Sequence, residues 1–223
     1  MTFQAFFKRV LNYTYAPLLL RYLSHDSSYS FNGVKLVVKA GVFHSRFFPG
    51  TKFMLSEILT FDLKNKSLVE IGCGSGLLSL TAAKHGAHVV ASDIDPAAVN
   101  CTSENAKLNN VVVTAIQSDL FDNIPKLRFD YIIISPPYFR GKARNEIQRG
   151  WYYGETFDFF AKLFKQVRPF ITEGSRVFMT LSEACEVKEI RELAQGEHLE
   201  LRIRKAKRFW PGENYYCFEL KEL

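Results

Sequence analysis

The sequence predicts an α/β fold: a doubly wound, mostly parallel seven-stranded sheet with an antiparallel C-terminal hairpin and a short N-terminal helix-and-hairpin extension. Three observations predict it. From residue 68 onward, short apolar segments alternate with helix-patterned ones, as in successive βαβ units. The runs around Val90 and Ile133 are continuously apolar, as in strands covered by helices on both faces. The first of these strands, Leu68 to Ile71, runs into Gly72-Cys73-Gly74-Ser75-Gly76, where alternate residues are glycine. Glycine serves where the backbone must take a positive φ or admit another group without a Cβ in the way.

The elements follow in order. Phe3, Phe6, Phe7, Val10 and Leu11 fall at helical spacing before a break at Pro17. Lys8, Arg9 and Arg21 interrupt any apolar run long enough for a signal peptide or a membrane span, so the segment reads as an amphipathic helix docked on the domain. Asn32-Gly33 between apolar runs predicts a hairpin within residues 29–43. Pro49-Gly50-Thr51 predicts a turn, then a helix capped by Thr51 and reaching Phe61. The extension is placed at residues 1–50 and the main domain at 51–223.

Within that domain, strands are expected at 68–71, 88–92, 111–116, 129–134, 175–181, 199–205 and 214–220. Helices are expected at 77–85, 96–109, 156–168 and 184–195. The last two strands are joined by a loop containing Trp210-Pro211-Gly212 and predict an antiparallel hairpin at the sheet edge. Such sheets bind ligands beyond the carboxyl ends of their strands, at the point where strand order reverses, and the glycine loop marks that point.

Composition bounds the function. A chain of 223 residues, 47% hydrophobic, buries a sizeable core rather than remaining disordered. Twenty phenylalanines and ten tyrosines exceed what that core requires, so some are expected to line a pocket or a target surface. A net charge of +6 suits a nucleic-acid or ribosome-associated partner, and equally a basic soluble enzyme. Cys73, Cys101, Cys185 and Cys217 are far apart with no C-x-x-C, which predicts reduced thiols of a cytoplasmic protein and no metal site.

The chemistry gathers at strand ends. The second strand ends in Asp93-Ile94-Asp95-Pro96. An ionised carboxylate has acceptors for both hydroxyls of a ribose, and Asp95 before Pro96 suits a helix N-cap, which leaves Asp93 free for that work. Ile94 is placed to pack on an adenine ring. The third strand leads to Ser118-Asp119-Leu120, where a carboxylate can accept from an exocyclic amine, although an ordinary polar loop end would look the same. The fourth ends in Ser135-Pro136-Pro137-Tyr138. Two prolines hold the chain extended and donate no N–H, so their carbonyls can serve as fixed acceptors. A planar amine accepted by Ser135 Oγ and the Pro136 carbonyl is pushed towards tetrahedral geometry, which frees its lone pair, and Tyr138 can stack on the target.

On these motifs, residues from about Val42 to Leu181 resemble the class I S-adenosylmethionine (AdoMet) methyltransferases of the small-domain type with a (D/N/S)PP(Y/F/W) signature. That group includes the release-factor glutamine methyltransferases and the rRNA guanine amine methyltransferases. The resemblance implies a Rossmann-like methyltransferase fold with AdoMet as cofactor. It places Glu70, Gly72, Cys73, Gly74 and Gly76 around the methionine part, Asp93 and Ile94 at the ribose and adenine, and Asp119 with Leu120 at the adenine amine. Ser135, Pro136, Pro137 and Tyr138 become the clamp on the target nitrogen. It implies N-methylation of a protein glutamine side chain or an RNA base amine, with no metal.

The chain departs from the pattern twice. Ser135 replaces the usual Asn, a serine familiar from amino-methyltransferases acting on DNA bases, and the N-terminal portion is shorter than the docking domain of bacterial release-factor enzymes. A nicotinamide-dependent oxidoreductase is disfavoured by Leu77 where G-x-G-x-x-G needs its third glycine. A non-catalytic methyltransferase-like partner subunit would require a broken cofactor site, and every motif position is intact. The loop at 139–151 holds Arg140, Lys142, Arg144 and Arg149 and is read as a possible phosphate contact. Arg202 and Arg204 are read as the solvent face of an edge strand whose Leu199, Leu201 and Ile203 point inward.

Overall fold

Positive φ angles of 48° at Asn32 and 73° at Gly33 let β1 (Ser27–Phe31) fold back antiparallel on β2 (Val34–Val38). The structure, a computed structural model, describes residues 21–142, 150–209 and 212–223. The helix expected before Pro17 lies outside them. Val34, Leu36 and Val38 of the hairpin are buried.

Seven further strands form one sheet: β3 (Ser67–Ile71), β4 (His88–Asp93), β5 (Val113–Gln117), β6 (Tyr131–Ile134), β7 (Arg176–Ser182), β8 (Leu199–Phe209) and β9 (Glu213–Glu222). Their order is β5-β4-β3-β6-β7-β9-β8. The first five are parallel, and β9 runs antiparallel to both β7 and β8. Strand order reverses between β3 and β6, which opens a crevice at their carboxyl ends. Helices α1 (Pro49–Ile58) and α2 (Leu77–Lys84) pack with the hairpin on one sheet face, while α4 (Asp158–Val167) and α5 (Val187–Gly196) pack on the other. No helix among the described residues is long and apolar enough to cross a membrane.

Helix α3 (Pro96–Leu108) carries the hairpin on asparagine side chains. Asn105 Oδ1 accepts from the Val37 N–H at 2.9 Å, and its Nδ2 donates to the carbonyls of Val37 and Ser75, both at 3.0 Å. At the end of the helix Asn109 does the same for the backbone of Lys35. The two amides imitate the edge of a partner strand, so the second hairpin edge is satisfied without one.

Two sequence expectations are corrected. Helix α1 begins at Pro49 rather than at Thr51, with Phe48 as an N-cap that makes no side-chain bond. Proline at the first helical position lacks an N–H that would otherwise be orphaned, so a hydroxyl cap is not needed. Strand β8 extends to Phe209, and Ile203, although in register opposite Phe218 on the face of Leu199 and Leu201, is 51% exposed because β8 is the edge strand and the buried core stops at Leu201.

Asn105 is 1% exposed, and its loss removes three hydrogen bonds to the Val37 N–H and the Val37 and Ser75 carbonyls, of which the Val37 carbonyl keeps the Cys101 thiol at 3.1 Å. Asn105→Ala is expected to lower stability by about 2–4 kcal/mol, since each unsatisfied buried group costs about 1–3 kcal/mol. Urea denaturation read by circular dichroism checks this. An unchanged midpoint would show that the amide clip is dispensable.

Candidate active site

The three loop glycines all take the left-handed conformation, with φ of 82° at Gly72, 52° at Gly74 and 87° at Gly76. Two of them also make room for the protein itself. A Cβ on Gly72 would lie 2.6 Å from the Ser135 carbonyl oxygen, and one on Gly76 would lie 2.9 Å from Thr102 Oγ1 on α3. The loop therefore crosses directly beneath the end of β6, whose Ser135 N–H donates to the Ile71 carbonyl at 2.9 Å. Gly76 packs against Thr102 and is not among the residues lining the cavity described below.

Asp93 is not left free. Its Oδ2 accepts from the Gly74 N–H at 2.9 Å and its Oδ1 from the Asp95 N–H at 3.0 Å. Asp95 caps α3 as expected, accepting from the Ala97 N–H at 2.8 Å. Asp93 thus shapes the loop first, and each oxygen keeps a further acceptor site for a ligand hydroxyl. Burial pushes its pKa up, against the opposing pull of the Asp95 and Gly74 N–H bonds.

Glu70 lies 2% exposed, with Oε2 accepting from the Ser79 N–H at 2.9 Å and from the Ser79 hydroxyl. It steadies the first turn of α2, where unpaired N–H groups favour negative charge. Burial raises its pKa to about 8, the Ser79 bonds oppose the rise, and the Asp93 charge adds to it.

These groups surround a cavity of about 390 Å³ that spans the crevice. Glu70, Gly72, Cys73, Gly74, Asp93, Ile94, Asp119, Leu120 and Ser135 through Tyr138 all line it, so the fold brings together every expected site residue except Gly76. Ile94 is 40% exposed and offers an apolar face to a flat ring. Asp119 Oδ2 pairs with Lys162 at 2.6 Å, and Lys162 also holds Asp122 at 2.7 Å. A ligand amine at Asp119 would share the carboxylate with that lysine. Sequence reasoning missed Lys162, because only the tertiary fold lays α4 beside the end of β5.

Tyr138 is anchored more firmly than a free stacking platform. Its ring meets Tyr215 edge-on at 6.1 Å, and its hydroxyl occupies the space that a Cβ on Gly50 would take. Burial raises the phenol pKa well above its usual value. Pro49-Gly50 reads in the sequence as a turn; the structure uses Gly50 to admit this hydroxyl. Arg140 is not a free phosphate contact either. It donates to the Glu155 carbonyl, pairs with Glu186 at 3.2 Å and covers the Phe157 ring. Arg144 and Arg149 lie outside the described residues.

The cavity also tests which cofactor fits. Asp93, Asp119 and Asp158 line it, and among the described lining residues the single cation, Lys162, is already paired with Asp119 and Asp122. Such a site disfavours a pyrophosphate and suits a cationic ligand with a ribose and an adenine, as AdoMet has. A glycine loop with cramped positive-φ turns, a carboxylate at the end of β4 and an exposed Ile94 beside it match that ligand's parts.

The chain belongs to the methyltransferase small domain family, whose model matches residues 33–150. It is 51% identical over 78 residues to a protein of Methanocaldococcus jannaschii named for protein N5-glutamine methyltransferase activity, a match covering 34% of this chain and 39% of that one. It is 34% identical over 128 residues to the release factor glutamine methyltransferase of Streptococcus pneumoniae, covering 56% and 45%. The chain therefore spans less than half the length of these relatives. Among solved structures, the fold is shared with a T. thermophilus 16S rRNA N2 methyltransferase bound to AdoMet and guanosine. That match has a TM-score of 0.61 at 18% identity and covers 89% and 50% of the two chains. It is also shared with the E. cuniculi complex responsible for methylating a translation termination factor, with a TM-score of 0.62 at 16% identity and coverage of 82% and 99%.

The raised pKa of Glu70 predicts a pH effect on stability. Between its ordinary value of 4.5 and about 8, the folded state holds a proton that the unfolded state has lost. Stability from this group is therefore full below that window, falls as pH rises through it, and levels off above it. Thermal unfolding across pH 4.5–8 should show the decline in the native protein and a shallower one in Glu70→Gln. Identical slopes would mean that Glu70 stays ionised in the fold.

Proposed function

We propose that this protein is an AdoMet-dependent N-methyltransferase acting on a planar nitrogen of a macromolecule, either a glutamine side chain in a protein or a base amine in RNA. One observation carries the reading: the ends of β3, β4 and β6 deliver the glycine loop, Asp93 and Ser135-Pro136-Pro137-Tyr138 to a single cavity. The names of the relatives, which act on release factors, ribosomal proteins and rRNA, point to a substrate of the translation apparatus.

When bound, AdoMet supplies an electrophilic methyl group. The chain's own residues position and desolvate. Asp93 and the glycine loop would hold the ribose and methionine parts, Ile94 would pack on the adenine, and Asp119 would accept from the adenine amine. Ser135 Oγ and the Pro136 carbonyl accept both N–H bonds of the target nitrogen and turn its lone pair towards the methyl. Tyr138, fixed by Gly50 and Tyr215, sets the wall against which the planar target lies. Orientation of this kind supplies a large part of a barrier reduction without a strong general base. Methyl transfer from labelled AdoMet to a glutamine-bearing release-factor peptide and to rRNA, read by mass spectrometry, tests the reading and separates the two targets. Failure to bind AdoMet while binding NAD would overturn it.

Asp93→Asn retains a side chain able to accept from one backbone N–H but loses the charge. It is expected to weaken AdoMet binding about tenfold to a hundredfold, as charge-assisted bonds contribute about 1.5–3 kcal/mol. Calorimetry on the folded variant checks this, and unchanged affinity removes Asp93 from the ribose site.

The clamp residues are expected to behave differently. Tyr138→Ala should keep cofactor affinity within a few-fold and lower turnover by about a hundredfold or more. Ser135→Asn separates two designs of the clamp. A pocket shaped around the hydroxyl loses turnover, while an asparagine-type pocket keeps or gains it on a glutamine or guanine target. Single-turnover kinetics with saturating AdoMet reads both variants, and native turnover in Tyr138→Ala overturns the clamp.

A further inference from the structure

Strand β8 forms one edge of the seven-stranded sheet, and residues 202–208 are all exposed. Strict alternation would divide its cations between the two sheet faces. The bulge after Ile203 prevents this. Arg202 pairs in register with Glu219, Lys205 with Cys217 and Lys207 with Tyr215. Those β9 residues alternate onto the face covered by α1, as the burial of Tyr215 and Cys217 in the α1 core shows. Arg204, the extra residue, reaches the same face, pairing with Glu57 of α1 and lying 5.6 Å above the Phe178 ring. Arg202, Arg204, Lys205 and Lys207 therefore share one side of the edge strand, and Arg208 stands alone on the other.

Arg176 and Lys221 flank them on the same face, so six cations meet four carboxylates, Glu57, Glu200, Glu213 and Glu219. The face keeps a net positive charge. Arg202 and Lys205 remain 63% and 49% exposed even with their carboxylate partners. The strip also leads to the cavity. Lys207 lies 5.0 Å over the Phe209 ring, Phe209 packs on Tyr215, and Tyr215 packs on Tyr138 of the clamp.

We infer that this face of β8 is a docking track for a single RNA strand that is continuous with the active site. Same-face neighbours on a strand stand about 6.6 Å apart, on the scale of successive phosphates along an extended polynucleotide. Phosphate contacts need cations with freedom to adjust, and they position a substrate without reading its sequence. Protection of a bare sheet edge would be served by cations on either face. It does not explain their concentration, through a bulge, on the face that adjoins Tyr215 and the clamp. The inference rests on the proposed function only for the choice of RNA; the track itself follows from the charges.

Fluorescence anisotropy with a labelled oligouridine RNA, titrated across salt concentrations, tests it. The native protein should bind at about 50 mM salt, with affinity falling steeply as salt rises. Arg202→Gln combined with Lys207→Gln should weaken binding about tenfold or more and lower the salt slope by about 1.4, at about 0.7 per lost phosphate contact on a single strand. Arg208→Gln, on the opposite face, should bind as the native protein does. The corresponding oligodeoxyuridine should bind no more tightly than the RNA. Absence of native binding, an unaffected double variant, an equal loss in Arg208→Gln or a preference for DNA would each overturn the track. Calorimetry with AdoMet on the same proteins keeps the two readings apart, since neither altered residue touches the cavity.

Discussion

Gly72 passes under the Ser135 carbonyl so closely that a Cβ would sit 2.6 Å from its oxygen, while the Ser135 N–H bonds back to Ile71 at 2.9 Å. The glycine loop and the Ser135–Tyr138 segment are thus joined as one backbone unit. Their separation is set by main-chain hydrogen bonds and by the absence of a side chain, neither of which flexes much. Under the proposed function, such a unit would align a methyl donor with a planar nitrogen, which is where catalysis by orientation gains most. The remaining site residues depend on this junction: Asp93 ties the loop from the β4 side, and Gly50 with Tyr215 fixes the clamp from the α1 side.

Electrostatics completes the arrangement. Burial raises the pKa of Glu70 and of the Cys73 thiol, the Asp93 charge adds to both, and Glu70 adds to that of Cys73. Backbone and hydroxyl donors from Ser79, Gly74 and Asp95 offset part of the cost. A cavity with carboxylates on its wall and one fully engaged lysine favours cationic ligands over phosphates. The outer face of β8 has the opposite character, so the molecule separates a negative interior site from a positive exterior strip.

Polar clips do the work of tertiary assembly around this centre. Asn105 links the N-terminal hairpin, α3 and the carbonyl of Ser75 in the glycine loop. Lys162 bridges Asp119 and Asp122 and fastens α4 to the loop after β5. Glu57, buried in α1, gathers Arg204 and Lys205 from the edge strand. Each clip joins elements far apart in sequence through one side chain, so each is invisible to periodicity.

The sequence by itself determined the sheet, its alternation with helices, the hairpin at Asn32-Gly33 and the place of the cavity. Those features depend on local signals: apolar periodicity, glycine at positive-φ turns and proline at strand and helix ends. It also named twelve of the residues that line the cavity. Tertiary structure decided how they are employed. Asp93 looked free because its neighbour caps a helix, yet the loop folds back to bond one of its oxygens through the Gly74 N–H, while the Asp95 N–H bonds the other. Gly76 read as part of the cofactor loop, and the structure also uses it as clearance for Thr102. Tyr138 became fixed by Gly50 and Tyr215, and the basic run of β8 was sorted onto one face by a bulge that alternation does not foresee. The physical reason is common to the long-range contacts among these. Hydrogen-bond partners and steric neighbours come from segments tens of residues away, so their identity is known only once the chain has closed on itself.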